Sequence, residues 1–159
     1  MHALDGIDPE QFIAGFFTSF MNDLVRGGED VAVVVDRYHT PDIVQIADGS
    51  RMDRARLIAH ARPARKHQIS ARWEVHEAIA DGDRIAARYT LHFQNRKREG
   101  RTEVCFFGRF ADDGRMRQAH MLTRLVPVKA GDAADAEAGV QAGSGQPATE
   151  TSGLGQAPS

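Results

Sequence analysis

The chain of 159 residues holds a single cysteine, Cys105, so it can form no internal disulfide. That excludes a disulfide-stapled secreted scaffold and makes a reducing, cytoplasmic setting the expectation. No apolar run approaches the roughly 18 residues that a membrane span needs. Met1–Glu10 contains Asp5, Asp8 and Glu10 but no basic stretch leading into an apolar one, so a secretory signal is not expected. No glycine-rich loop follows a strand-like run, which removes a Rossmann or P-loop reading. His39, His67 and His76 stand at no metal-type spacing from Cys105 or from carboxylates. Neither a metal nor a cofactor is therefore expected.

Basic residues are missing from the far end of the chain. Gly131–Ser159 has four acids (Asp132, Asp135, Glu137, Glu150), no Lys or Arg, no aromatic residue, and only Val140 and Leu154 as large aliphatics. Such a segment cannot bury enough apolar surface to offset roughly 1–2 kcal/mol of backbone entropy per residue. The expected organisation is a flexible lead-in at 1–7, one domain at 8–128 and a disordered Gly/Ala/Ser-rich acidic tail at 129–159. Residues 1–130 keep all 20 basic residues and 18 of the 22 acids, so they carry +2 although the whole chain carries −2. Arg51, Arg54, Arg56, Arg62, Arg65 and Lys66 form a basic run. It has no interleaved aromatics, so it reads as a solvated face and nucleic acid is not an expected partner.

The apolar residues that are present fall into two textures. Asp8-Pro9-Glu10-Gln11 is a helix start, with Asp as cap and Pro in the first turn. Phe12, Phe16 and Phe20 then recur every four residues beside Ile13, Phe17, Met21 and Leu24, until Gly27-Gly28 ends the stripe. Val31, Val34, Val35 and Tyr38 share one face of a second helix capped by Asp30. Ile43–Ala47 reads as a short strand after the Thr40-Pro41-Asp42 break. Asp53 caps a third helix whose far end Pro63 should limit. From Arg72 onward the period changes to two. Trp73–Ile79, Ile85–Gln94, Thr102–Phe110 and Met116–Val126 are strands, punctuated by Asp81-Gly82 and Asp112-Asp113-Gly114. Helices followed by a strand meander predict an α+β domain, a curved antiparallel sheet with about three N-terminal helices on one face.

Three stretches carry a family resemblance: YHTPDIVQIADGSRMDRARLIAHARPAR, VHEAIADGDRIAARYTLHF and FFGRFADDGRMRQAHMLTRLV. Together with the opening helix they cover about residues 8–127. In this order they resemble the nuclear transport factor 2-like superfamily, and within it the SnoaL-like group. The resemblance implies a cone-shaped fold with a pocket at its open end and a homodimer through the outer sheet face. It also implies ketosteroid isomerase, dehydratase, limonene epoxide hydrolase or polyketide cyclase relatives alongside non-catalytic binders, so fold does not fix function. The acids of those enzymes do not carry over. The isomerase base position falls at Ala47, beside Asp48, and its oxyanion-site acid near Phe106. The epoxide hydrolase positions resemble Thr90, His92 and Met121. The cyclase aspartate falls at Met121 or, with a one-residue slip, at His120.

Aligned on the Asp81-Gly82 turn, the resemblance points Ala86, Arg88, Thr90 and His92 into the pocket. Ile85, Ala87, Tyr89 and Leu91 then form the outer, dimeric face. Val104, Phe106 and Gly108 face in, as do Ala119, Met121 and Thr123, with His120 facing out. The expected substrate contacts are Phe16, Tyr38, Gln45, His60, Thr90, Phe106 and Met121. Arg88 would hold developing negative charge, His92 would move protons, and Asp48 would act as base or orient a histidine. Each has a plainer alternative: a salt bridge to Glu74 or Glu103 for Arg88, a sheet-surface residue for His92, a turn residue for Asp48. The expected function is a cofactor-independent cyclase, isomerase or dehydratase acting on a hydrophobic oxygenated small molecule such as a polyketide. The alternative is a non-catalytic ligand-binding or dimerisation module.

Overall fold

A computed structural model describes residues 1–127; the tail expected at 129–159 lies outside the described residues. Three aspartates start the three helices by accepting hydrogen bonds from otherwise unpaired backbone amides. Asp8 caps α1 (Pro9–Arg26) through Glu10 N at 2.9 Å, Asp30 caps α2 (Val31–Tyr38) through Ala32 N at 2.8 Å, and Asp53 caps α3 (Arg54–Lys66) through Arg56 N at 3.0 Å. Pro63 lies inside α3 and does not end it. The turn beyond it closes through His67 N on Pro63 O, and the carbonyl that a proline N–H would have served belongs to exposed Ala59. Within residues 1–7, Leu4 is buried in the core.

The strands are β1 (His39–Ala47), β2 (Ser50–Met52), β3 (Ser70–Asp81), β4 (Arg84–Gln94), β5 (Glu99–Phe110) and β6 (Met116–Val126). They form one curved, unclosed sheet in the order β2-β1-β6-β5-β4-β3. All neighbours run antiparallel except β1 and β6, which are parallel, so the sheet is mostly rather than wholly antiparallel. β1 begins at His39, four residues earlier than the sequence pattern indicates, and accommodates Pro41 where its pairing with β6 is interrupted.

The helices cover one face of the sheet, and α1 packs mainly on β3. On β4 the residues turned to the helices are Ile85, Ala87, Tyr89, Leu91 and Phe93, all buried. This reverses the expected orientation of that strand. A register places one alternating set inside and the other outside, and the apolar set wins the interior. Burying a large apolar side chain contributes about 1.5–3 kcal/mol, whereas an unpaired buried guanidinium costs several. β5 and β6 face as expected: Val104, Phe106 and Gly108, then Ala119 and Met121, are buried, while His120 is exposed.

β3 changes face in mid-strand. Val75 pairs with Tyr89 and Glu77 with Arg88, which leaves His76 as the extra residue of a bulge. Before it Trp73 and Val75 face the helices; after it Ala78 and Ala80 do, and Ile79 is turned out to solvent.

Candidate functional site

Between the helices and the inner sheet face the aromatic residues are closely packed. Phe17 of α1 stacks on Trp73 of β3 (5.6 Å between centroids, 10° between planes) and meets Phe106 edge-on. Phe16 meets Tyr38, His39 and Phe110 edge-on. What this packing leaves is a cavity of about 30 Å³, walled by Phe17, Phe20, Leu24, Leu57, Ala61, Ala64 and Trp73, with His39, Gln45 and His60 as its polar members. That is room for one or two waters. No Asp, Glu, Lys or Arg lines it.

The chemistry of the cavity rests on two buried groups from β1. His39 is buried, and burial pushes its pKa down to about 4, so it is neutral at pH 7. Its Nδ1 lies 2.9 Å from the Val35 carbonyl. A carbonyl can only accept, so Nδ1 carries the proton and Nε2 is the ring's acceptor. Gln45 is 2 % exposed; its amide nitrogen donates to the Met116 sulfur at 3.7 Å, while its Oε1 is buried without a hydrogen-bond partner. His60 enters from α3 and is half-buried. The cavity therefore offers neutral acceptors in an apolar wall, a combination suited to an uncharged ligand with an O–H or N–H to donate.

Of the residues singled out from the sequence, Gln45 and His60 line this cavity, and Phe16 and Tyr38 pack behind it around His39. The Tyr38 hydroxyl is committed to Asp23 at 2.6 Å; burial, reinforced by that carboxylate, pushes its pKa up to about 12. Phe106 and Met121 lie on the inner face as buried packing residues. Thr90 belongs to the outward set of β4, with its Oγ1 2.7 Å from His76 Nε2.

The three residues expected to do chemistry are not brought together. Arg88 is on the outer face, half-exposed, and pairs with Glu77 at 3.2 Å. His92 is on the same face and donates to Glu74 at 2.8 Å, a hydrogen bond that lowers the pKa of that carboxyl. Asp48 sits in the β1–β2 turn with φ 51°, where it accepts from Thr123 N at 2.8 Å and from Thr123 Oγ1. The basic run around α3 is likewise used locally: Arg54 forks onto Asp36 at 2.6 and 2.8 Å, and Arg65 donates to Leu24 O at the end of α1. Among the described residues no cluster of three His, Cys, Asp or Glu could hold a metal, and no helix is long and apolar enough to cross a membrane.

His39, Phe20, Leu57 and Trp73 are among the cavity residues that the expected contact set lacks. For His39 a signal existed. Ile43, Gln45 and Ala47 are the inward set of β1, and the same parity carried back through Pro41 arrives at His39.

Sequence and fold comparisons agree with this architecture. The model of the SnoaL-like domain matches residues 13–119. The chain belongs to the SnoaL-like domain family. No curated protein sequence matches it. Among solved structures it is similar to an LEH-like epoxide hydrolase from M. tuberculosis, with 20% identity over 72% of this chain and 84% of that one and a TM-score of 0.54. It is similar to a conserved protein from Planctomyces limnophilus, with 13% identity over 74% and 97% of the two chains and a TM-score of 0.56. It is also similar to a protein assigned as a SnoaL-like polyketide cyclase from Shewanella denitrificans, with 11% identity over 72% and 90% and a TM-score of 0.54. At these identities the solved structures establish the fold of this SnoaL-like chain and leave its reaction open.

Proposed function

We propose that this SnoaL-like domain binds a small, uncharged, hydrophobic oxygenated molecule between its helices and the inner sheet face. One observation carries the reading: the cavity wall is aromatic and aliphatic, and its buried polar groups, His39 and Gln45, are neutral acceptors. A ligand larger than a water or two enters by displacing the α1 and α3 side chains that now fill the interior, Phe20 and Leu57 among them. The test is a screen of neutral and anionic aromatic alcohols and acids against the full chain, read by NMR shifts of cavity residues and by thermal stability. Neutral hydroxylated compounds should shift His39 and Trp73 and raise the melting temperature. A hit set dominated by carboxylates acting on Arg88 or His92 would overturn the assignment.

A second reading keeps the cyclase, isomerase or dehydratase activity, and His39 is the feature that favours it. The Val35 hydrogen bond leaves Nε2 as the acceptor of a ring that lines the cavity. In that reading proton transfer falls to His39, because Arg88, His92 and Asp48 are engaged elsewhere. Conversion of a bound compound that disappears in His39→Gln separates the enzyme from the binder.

We also infer a dimer through the outer sheet face, with a composition different from the one expected. Ile79 (72 %), Phe107 (66 %) and Leu122 (64 %) are the large apolar side chains exposed there. Ile79 and Phe107 line a shallow groove of about 440 Å³ with Ala86 and His120. Phe107→Glu should convert a sedimenting dimer to monomer, and a monomeric parent chain would refute this interface.

A further inference from the structure

The other end of the outer face carries a basic row that the cavity and the apolar patch do not use. Register aligns Arg72 of β3, His92 of β4, Arg101 of β5 and Val126 of β6. With about 4.8 Å between neighbouring strands, the two arginines stand about 10 Å apart across His92. The three line a groove of about 450 Å³ with Ser70, Gln94 and Glu99. Arg84, Arg88, Arg109 and Arg124 on the same face are each matched to a carboxylate, whereas among the described residues neither Arg72 nor Arg101 has an ion-pair partner. The β4–β5 loop adds Arg96, Lys97 and Arg98 at the same end. Glu74, Glu99 and Glu103 are the nearby acids on these strands; Glu74 is already spent on His92 and Glu103 on Arg124. The patch lies about six residues, roughly 20 Å, from Phe107 along β5, and four residues, roughly 13 Å, from Cys105, the register partner of Leu122.

Strand β6 delivers the chain to this place. Val126, its last residue, is the register partner of Arg101. Asp132 follows six residues later, within a reach of roughly 20 Å at full extension. Asp132, Asp135 and Glu137 are the first acids after the strand, and residues 131–159 contain no base. We propose that the acidic segment 132–137 of this chain docks on the Arg72–His92–Arg101 row, its carboxylates taken by the two arginine forks. Planar guanidinium groups are suited to carboxylates, and tethering through Val126 supplies a high effective concentration without any large contact area. A nucleic acid fits less well, because of the two rings lining the groove Phe93 is buried and the His92 imidazole is held on Glu74.

Cys105, the lone cysteine, is exposed on the same face of β5 four residues from Arg101 and beside Leu122, so a nitroxide on it, in the Phe107→Glu background that keeps the chain monomeric, reports on this groove. Amide signals of residues 132–137 should be broadened by the label. The broadening should be lost on Arg72→Gln with Arg101→Gln, and at high salt, while broadening within β4 and β6 persists. Without a label, the Nε–H signals of Arg72 and Arg101 should move when Asp132, Asp135 and Glu137 become Asn, Asn and Gln. Broadening unaffected by the arginine changes overturns the proposal. So does broadening that appears only between labelled and unlabelled copies in a mixture. Arginine signals that respond to an added oligonucleotide or to succinate but not to the acid-to-amide variant also overturn it.

Discussion

Arg88 and Glu77 pair across β4 and β3 at 3.2 Å on the outer face, one residue past the bulge at His76. The pair defines what Arg88 does here. Both side chains are at least half-exposed, so solvent and salt screen the attraction. Arg88→Ala is expected to lower stability by no more than about 1 kcal/mol. It should leave the NMR response of His39 and Trp73 to a cavity ligand unchanged. Urea titration and ligand titration check the two halves, and a lost ligand response would return Arg88 to the site.

Asp48 and Thr123 give a contrasting case. Asp48 holds a left-handed turn position at φ 51° and ties that turn to β6 through Thr123 N and Oγ1. Asp48→Ala removes the acceptor, strands a half-buried amide, and keeps a backbone conformation alanine dislikes. A loss of about 1–3 kcal/mol is expected. Asp48→Asn should recover a good part of it, since the amide oxygen still accepts and Asn tolerates positive φ. Equal losses for the two variants would mean that the charge, and not the hydrogen bonds, is what matters.

The parts of the fold that were legible are those written locally. Asp8, Asp30 and Asp53 cap the helices they precede because capping needs only a side-chain oxygen and the next two or three amides. The strand turns follow for the same reason. The alternation along β4 was equally visible, but alternation does not say which set faces the helices. The apolarity of Ile85, Tyr89, Leu91 and Phe93 answers that question, and the turn-based alignment gave the opposite answer. The bulge at His76 left no compositional mark, because one extra residue in a strand changes the face of everything after it and the identity of nothing. Ile79 in solvent is the result. Of the residues lining the candidate cavity, Gln45 and His60 stand in the contact set that the family resemblance implies, while His39 is hidden because Thr40-Pro41-Asp42 reads as a break before the strand.

Gly108 shows how tightly the inner sheet face is filled. A Cβ there would come within 2.5 Å of the Phe106 ring and 3.2 Å of the Phe110 ring, and Phe106 has no exposed surface to move into. Gly108→Ala is expected to destabilise by about 1–3 kcal/mol through overpacking. The chemical denaturation midpoint should fall with little change in slope. A neutral outcome would show that the aromatic layer has slack, and with it room for a ligand that the present packing excludes.

His39 makes the stability of the chain pH-dependent in a defined window. Burial holds its folded pKa at about 4, against an ordinary value near 6.5 in the unfolded chain. Between those values the unfolded state binds more protons than the folded one. Stability therefore rises with pH across the window and is lost as pH falls from about 6.5 toward 4. The full span amounts to on the order of 3 kcal/mol. Asp23, Asp36 and Glu74 have lowered pKa values from the hydrogen bonds of Tyr38, Arg54 and His92, and they add a loss of the same sign at lower pH. The comparison that isolates His39 is the difference between the parent chain and His39→Gln, whose amide can still donate to Val35 O but does not titrate. Denaturant titrations at pH 7 and pH 5 should show a clearly smaller pH loss in the variant. Equal losses in the two chains would mean that the imidazole takes up its proton in the folded state as readily as in water, and the neutral cavity on which the ligand assignment rests would have to be abandoned.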